Sequence, residues 1–146
     1  MIQIAAIGPD GSTLLDTLVR PLGRIPMDAV AIHGINDRKV ASAPRYAEVH
    51  AKVLDTLRDR LLIAYNAQFD RRLLRQTARQ NGLWDIPNVW DCAMEHYARY
   101  VGQWNSRRGS YAWLPLPRPT APTGYKHQAI DDCLATLDVI RRMAGD

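Results

Sequence analysis

The chain has 146 residues, of which 47% are hydrophobic and 23% are charged, a composition typical of one soluble globular domain. No apolar run approaches the roughly 18 residues of a membrane span, and the N-terminus lacks the pattern of a secretory signal. The net charge of +4 suits a polyanionic partner such as nucleic acid, although many soluble domains are mildly basic. We therefore expect a cytoplasmic protein that does not bind membranes, with Cys92 and Cys133 as reduced thiols.

The first part of the chain has the pattern of a β-hairpin. Apolar residues between Ile2 and Ile7 lead into the turn sequence Gly8-Pro9-Asp10-Gly11, and a second apolar run follows from Leu14 to Val19. A connecting stretch from Pro26 to Val40 follows, with a short helical turn around Met27 to Ile32.

Two helices and a strand are predicted next. Pro44 is expected in the first turn of a helix whose apolar face runs from Tyr46 to Leu57. The apolar run Leu61 to Tyr65 lacks alternation, which predicts a strand buried on both faces. Helical spacing returns at Phe69 and ends at Asn81-Gly82.

The remainder predicts a strand, a helix, a loop and a last helix. Val89-Trp90 is a short strand, and Asp91 is expected to cap a helix that stops at Gly102. Residues 104–125 form an irregular loop rich in proline, and a helix covers about Gln128 to Met143. The core positions expected on this last helix are Ile130, Leu134, Leu137 and Ile140. This order predicts a single α/β domain over residues 1–146, with a mixed sheet flanked by helices.

Two short motifs carry candidate chemistry. Asp70 follows the predicted strand at the start of a helix, where open α/β sheets build their sites, but an aspartate there also simply favours the helix dipole. We expect Asn66 to cap that helix and Phe69 to pack. His127 lies five residues before Asp132, and on its own this pair is better explained as a solvated histidine and a dipole-favoured aspartate, with Asp131 equally eligible.

Taken together, these motifs resemble the DEDDh family of 3′–5′ exonucleases, which includes proofreading subunits of bacterial DNA polymerases and ribonuclease T. Ile32-His33-Gly34-Ile35 resembles the family's short His-Gly-Ile loop. Asn66-Ala67-Gln68-Phe69-Asp70 resembles its second motif, with Tyr65 where a histidine is common. His127 and Asp132 match the third motif, His-x4-Asp. The resemblance covers Met1 to about Val101 and Lys126 to Met143.

The resemblance implies a ribonuclease H-like fold and hydrolysis of phosphodiesters by two metal ions, Mg²⁺ or Mn²⁺. Asp70 and Asp132 would be metal ligands, and His127 would be the general base. The implied substrate is nucleic acid with a single-stranded 3′ end, with DNA favoured over RNA. Candidate nucleic-acid contacts are His33, Asn66, Phe69, Arg107, Arg108 and Lys126.

Residues 104–125 mix aromatic and basic side chains. Such mixtures can stack on bases and neutralise phosphates. Trp104 and Trp113 are nevertheless expected to cover the core under the loop. Arg107 and Arg108 are equally well explained as solvated or as phosphate-facing.

The chain departs from the family because no Asp-x-Glu occurs in it, whereas relatives carry that pair on their first strand. The chain is therefore expected to begin one strand late, with an exposed sheet edge that permits self-association. A misplaced start, a natural fragment and a degenerate protein remain open as explanations. The alternative function is an inactive exonuclease-like domain that binds nucleic acid or a protein partner.

Overall fold

A computed structural model of the chain describes residues 1–117 and 128–145. Over this part, the strands and helices alternate as in a layered α/β domain. In chain order they are β1 (Gln3–Ile7), β2 (Thr13–Leu18), α1 (Met27–His33), α2 (Asp37–Val40), α3 (Tyr46–Leu57), β3 (Leu62–Ala64), α4 (Ala67–Gln80), β4 (Trp90–Cys92), α5 (Ala93–Val101), β5 (Trp104–Asn105), β6 (Ser110–Tyr111) and α6 (Ala129–Ala144).

The predicted hairpin is confirmed. Strands β1 and β2 pair antiparallel, from Gln3 opposite Leu18 to Ile7 opposite Thr13. Gly11 adopts a left-handed conformation with φ of 87°, which a residue with a side chain rarely takes. Glycine at this position therefore allows the strand to reverse.

A parallel strand pair positions the candidate site. Strand β3 pairs with β4 from Leu62 opposite Trp90 to Ala64 opposite Cys92, and α4 lies in the crossover between them. Because the strands are parallel, their C-terminal ends meet at one edge. Helix α4 begins at that edge, directly after Tyr65 and Asn66.

Helices lie on both faces of the hairpin. Ile4 and Ala6 of β1 pack against the main core, to which α3 and α4 contribute. Gln3, which projects to the opposite face of the strand, contacts α6. The buried residues of the main core are Leu15, Val19, Tyr46, Val49, Val53, Leu57, Leu74, Ala78 and Ile86.

The predicted mixed sheet is divided in the described part of the chain. Strands β1 and β2, β3 and β4, and β5 and β6 form three separate two-stranded ladders. Within these residues, the edge of β1 that faces away from β2 pairs with no further strand. Apart from the Ala5 carbonyl, which accepts from the Cys133 thiol, the backbone groups along that edge are therefore available for another strand.

Two local predictions are wrong, and one short element was not predicted. Helix α3 begins at Tyr46 after Arg45, so Pro44 precedes its first turn; the Arg45 amide donates to the Glu48 carboxylate there. Asp91 lies within β4 and does not cap α5; its carboxylate binds His96, with Nε2 and Oδ1 2.9 Å apart. In the loop predicted over 104–125, the described residues include the short hairpin β5–β6.

Two predictions of burial are also wrong. Leu61 and Ile63 are 57% and 44% exposed, because nothing in the described chain covers that face of β3. In α6, Ala135 and Val139 are buried, whereas Leu134 is 41% exposed. The helix packs against β1, and Leu134 and Leu137 lie beside the hairpin turn at Gly11, which leaves Leu134 partly open to solvent.

The described residues contain no helix that is both long and apolar enough to cross a membrane.

Candidate active site

Asp70 is placed by the junction between β3 and α4. Asn66 is the N-cap of α4, as predicted, and its side chain accepts a hydrogen bond from the Phe69 amide. The Asp70 amide donates to the Asn66 carbonyl at 3.2 Å. These bonds hold the Asp70 carboxyl in the first turn of the helix, beside the C-terminal edge of β3 and β4.

Asp132 occupies the equivalent position in α6. It lies in the first turn, and its amide donates to the carbonyl of the N-cap residue Gln128 at 3.2 Å. Its own carbonyl accepts from the hydroxyl of Thr136 at 2.7 Å. The two candidate metal ligands therefore begin different helices at corresponding positions.

The carboxylate of Asp132 influences that of Asp70. Loss of hydration, and then the negative charge of Asp132, raise the pKa of Asp70 to about 6. The Asp70 side chain is nevertheless exposed to solvent in the described structure. Two carboxylates from distant parts of the sequence thus share one electrostatic environment.

The thiol of Cys133 lies in the same environment. Burial, and then the charges of Asp132, Asp70 and Asp16, raise its pKa to about 11. Its sulfur donates to the Ala5 carbonyl at 3.6 Å. A thiol that stays protonated is unreactive, so Cys133 helps α6 contact β1 and is not a candidate nucleophile.

Gln3 links α6 to the hairpin β1–β2 through hydrogen bonds, a role that the sequence did not predict. Its Oε1 accepts from the Ala129 amide at 3.1 Å, across 126 positions of sequence, and its Nε2 donates to Asp16 at 3.1 Å. The N-cap Gln128 makes no side-chain capping bond, so Gln3 caps the helix from outside. The only signal in the sequence was a polar residue alternating with Ile2 and Ile4.

The donor set suits a divalent cation. Carboxylate oxygens are the ligands that Mg²⁺ and Mn²⁺ prefer, and a cation between Asp70 and Asp132 would relieve their repulsion. The described residues hold no group of three or more histidine, cysteine, aspartate or glutamate side chains able to bind a metal. Asp70 and Asp132 thus provide part of a ligand set.

Tyr65 connects this edge to the segment after β6. Its hydroxyl lies 2.8 Å from the Leu114 carbonyl and 3.1 Å from that of Pro115. Burial, followed by the influence of Tyr97 and Cys92, raises the pKa of the Tyr65 hydroxyl to about 12, so it remains a donor. His127 and Lys126, which were predicted as general base and nucleic-acid contact, lie outside the described residues.

The other candidate contacts have different environments. His33 ends α1, where its Nδ1 accepts from the Ile35 amide at 3.0 Å; burial lowers its pKa, which favours the neutral ring. Phe69 does not pack as predicted but is 49% exposed, because it begins α4 at an open edge. The guanidinium of Arg72 lies 5.8 Å from its ring centroid.

The expectation that two tryptophans cover the core is wrong. Trp104 is 59% exposed and Trp113 is 66% exposed. Trp104 lies in the hairpin β5–β6, and Trp113 lies in the segment that follows it. Neither packs in the main core.

Comparison with known proteins places the chain among nucleases. The family model described as exonuclease matches residues 1–140. The uncharacterized exonuclease CP81 of Escherichia phage 186 is 35% identical over 155 aligned positions, covering 99% of this chain and 79% of the phage protein. Exodeoxyribonuclease 10 of Escherichia coli K12 is 30% identical, and the match covers 96% of this chain and 60% of that enzyme.

A solved structure resembles the whole chain. Exonuclease X in complex with 5′-overhanging duplex DNA has a TM-score of 0.61 and 26% identity, covering 100% of this chain and 85% of the solved one. The described α/β arrangement is thus the ribonuclease H-like fold that the sequence predicted.

Proposed function

This chain belongs to the exonuclease family, whose members hydrolyse phosphodiester bonds, and from that premise we propose that it removes nucleotides in the 3′–5′ direction from single-stranded ends. The electrostatic coupling of Asp70 to Asp132 is the observation that carries the proposal. This coupling supports a site that combines the two motifs at the C-terminal edge of β3 and β4, where open α/β folds build their sites.

The metal would be held by Asp70 and Asp132. The family generally uses divalent metal ions, and for this chain we propose Mg²⁺ or Mn²⁺ on the chemistry of the two carboxylates. When bound, such ions stabilise the negative charge of a phosphodiester under attack and make water more acidic. The raised pKa of Asp70 means that its carboxyl must lose a proton before it can serve as a ligand.

His127 would take the proton of the attacking water. An imidazole has an ordinary pKa near 6.5, so it is neutral and basic at the pH of the cell. Its role rests on the resemblance of His127 and Asp132 to the third motif of the family. Water attack at phosphorus then breaks the bond to the 3′ oxygen of the preceding nucleotide, which leaves a new 3′ end.

The substrate contacts would surround this edge. Phe69 has an exposed ring on which a base can stack, and Arg72 next to it carries the opposite charge to a phosphate. Asn66, His33 and Lys126 are the remaining proposed contacts. We favour DNA over RNA as the substrate because the name of exodeoxyribonuclease 10 specifies DNA and the structure of exonuclease X contains DNA. We propose a cytoplasmic location for this activity.

A second candidate function is an inactive domain that binds nucleic acid or a protein. It is favoured by the absence of Asp-x-Glu from the sequence and of a third metal-ligating group from the described residues around Asp70. The open edge of β1 would then be the contact surface, including for a second copy of the chain.

A nuclease assay separates the two. A 5′-labelled single strand is incubated with Mg²⁺ or Mn²⁺ and the wild type, Asp132→Asn, or the matched control Asp138→Asn, whose side chain is exposed on the same helix. We expect slow, metal-dependent shortening from the 3′ end, lost in Asp132→Asn and retained in Asp138→Asn. Shortening that persists in Asp132→Asn would contradict the site, and strand binding without shortening would favour the inactive domain.

A further inference from the structure

The hairpin β5–β6 presents two arginines on a defined turn. The Asn105 side chain accepts hydrogen bonds from the amides of Arg107 and Arg108 at 3.1 and 3.3 Å. Its carbonyl accepts from Arg108 and Gly109, and Gly109 has a φ of 62°, where glycine is favoured. The turn therefore fixes the direction in which both arginines leave the backbone.

The stem of the hairpin carries aromatic surface. Trp104 and Tyr111 face each other across the two strands, with ring centroids 5.2 Å apart and planes at 83°. This edge-to-face contact stabilises a ladder that would be marginal by itself, yet the rings remain 59% and 39% exposed. Their free surfaces are available for stacking.

The segment that follows the hairpin is hydrogen-bonded beside the candidate active site. Leu114, three residues after β6, is bound through its carbonyl to the hydroxyl of Tyr65. Tyr65 directly precedes Asn66, which caps the helix that carries Asp70. The segment that leaves the hairpin is thus bound to the strand edge at which the reaction is proposed to occur.

The charge of this element is uncompensated in the described structure. Neither Arg107 nor Arg108 forms an ion pair there, and both side chains are exposed. Residues 103–117 contain no aspartate or glutamate. Guanidinium groups bind phosphates through paired hydrogen bonds, and exposed aromatic rings stack on unpaired bases, so both features fit one ligand.

We propose that the hairpin β5–β6 grips the single-stranded nucleic acid behind its reacting end, with Arg107 and Arg108 on phosphates and Trp104 stacked on a base. This proposal rests on the proposed function for the reacting end but concerns a separate binding element. A duplex without a single-stranded part offers no unpaired base to Trp104, so single strands are preferred.

The test measures binding without cleavage. A fluorescent 20-nucleotide thymidine strand is titrated by anisotropy in EDTA at several salt concentrations. We expect the double variant Arg107→Ala/Arg108→Ala to bind about tenfold more weakly at low salt and to reduce the slope of log K against log salt by about 1.4, since each phosphate contact on a single strand contributes about 0.7. Arg107→Lys/Arg108→Lys should restore the slope.

Matched controls lie at the other end of the fold. Arg58→Ala/Arg60→Ala removes two positive charges just before β3, of which Arg58 is paired with Asp55, and Trp84→Ala removes a tryptophan that is 90% exposed after the C-terminal end of α4. Binding should fall in Trp104→Ala and stay near wild type in these controls. Circular dichroism checks that each variant folds.

The outcomes separate the hairpin from the catalytic proposal. Strand binding that depends on the hairpin supports this inference even if no cleavage is ever seen. Unchanged affinity and salt slope in the arginine variant, an equal loss in the controls, equal affinity for blunt duplex, or absence of strand binding by the wild type would each overturn it.

Discussion

At the scale of single residues, the ionised carboxylate of Asp70 suits a metal ligand but lowers the stability of the metal-free fold. Its carboxyl has lost hydration and faces the charge of Asp132, which raises its pKa to about 6. The folded chain therefore holds this proton more tightly than the unfolded chain, in which the pKa is near 3.8. Stability is greatest below the unfolded value and falls as pH rises through about 6.

Asp70→Asn should accordingly stabilise the metal-free protein above about pH 6, where it removes an unfavourable charge. The gain should be about 1 kcal/mol, a value discounted because the side chain still reaches solvent. Below about pH 4 the difference should vanish, because Asp70 is then neutral in both states. Urea unfolding in EDTA measures this, with Asp138→Asn as the control. A less stable Asp70→Asn at high pH would contradict the account.

At the scale of elements, the placement of α6 depends on one side chain from β1. Gln3 accepts from the first amide of α6 and is itself held by Asp16, while Cys133 contacts the Ala5 backbone. These contacts set the position of Asp132 one turn into the helix. The hairpin is therefore part of the support of the site.

Gln3→Leu should destabilise the fold by about 1 kcal/mol, because it leaves the Ala129 amide and Asp16 without their partner. It should also weaken Mn²⁺ binding, since Asp132 is less well positioned. Thermal unfolding and Mn²⁺ titration check the two effects, and Gln76→Leu on the exposed face of α4 is the control. If Gln3→Leu left both the unfolding temperature and the Mn²⁺ affinity unchanged, the contact of Gln3 with α6 would be unimportant.

Elements were predictable where local patterns decide them. Hairpin β1–β2 and helix α4 followed from turn glycines and from helical spacing, and Asn66 was identified as a cap from its position. Burial was not predictable where neighbouring elements decide it. Apolar residues lie nearly all around α6, so the sequence did not show that Ala135 would be buried and Leu134 partly exposed.

The candidate site was predictable only in part, for the same reason. Asp70 and Asp132 were found from motifs whose local geometry is encoded nearby. The contact of Gln3 with Ala129 spans 126 positions, and no local pattern indicates it. The turn that carries Arg107 and Arg108 was not predicted, because the prolines later in residues 104–125 indicated an irregular structure for the whole segment.

At the scale of the whole molecule, the divided sheet is the dominant feature. β1 and β3 belong to separate ladders in the described chain, and the open edge of β1 can accept another strand. The DEDDh pattern that the sequence resembles would add two further carboxylates on a strand beside this one. The proposed site therefore has fewer metal ligands than its family pattern.

Extending the chain at its N-terminus by a strand that ends in Asp-x-Glu should accelerate cleavage by orders of magnitude, because each roughly 1.4 kcal/mol of transition-state stabilisation is tenfold in rate. The measurement compares nucleotide release by the two versions under equal Mn²⁺. An extension ending in Asn-x-Gln supplies the strand without the carboxylates and is the matched control. Equal rates in all three versions would show that the missing pair is irrelevant.

The central claim is that Asp70 and Asp132 form one metal site, and Mn²⁺ binding in a double-mutant cycle tests it most directly. Affinities are measured by calorimetry for the wild type, Asp70→Asn, Asp132→Asn and the double variant. If both carboxylates hold the same ion, each single change should remove most of the affinity and the second should add little. Unchanged affinity in either single variant, or fully additive losses, would contradict a shared site.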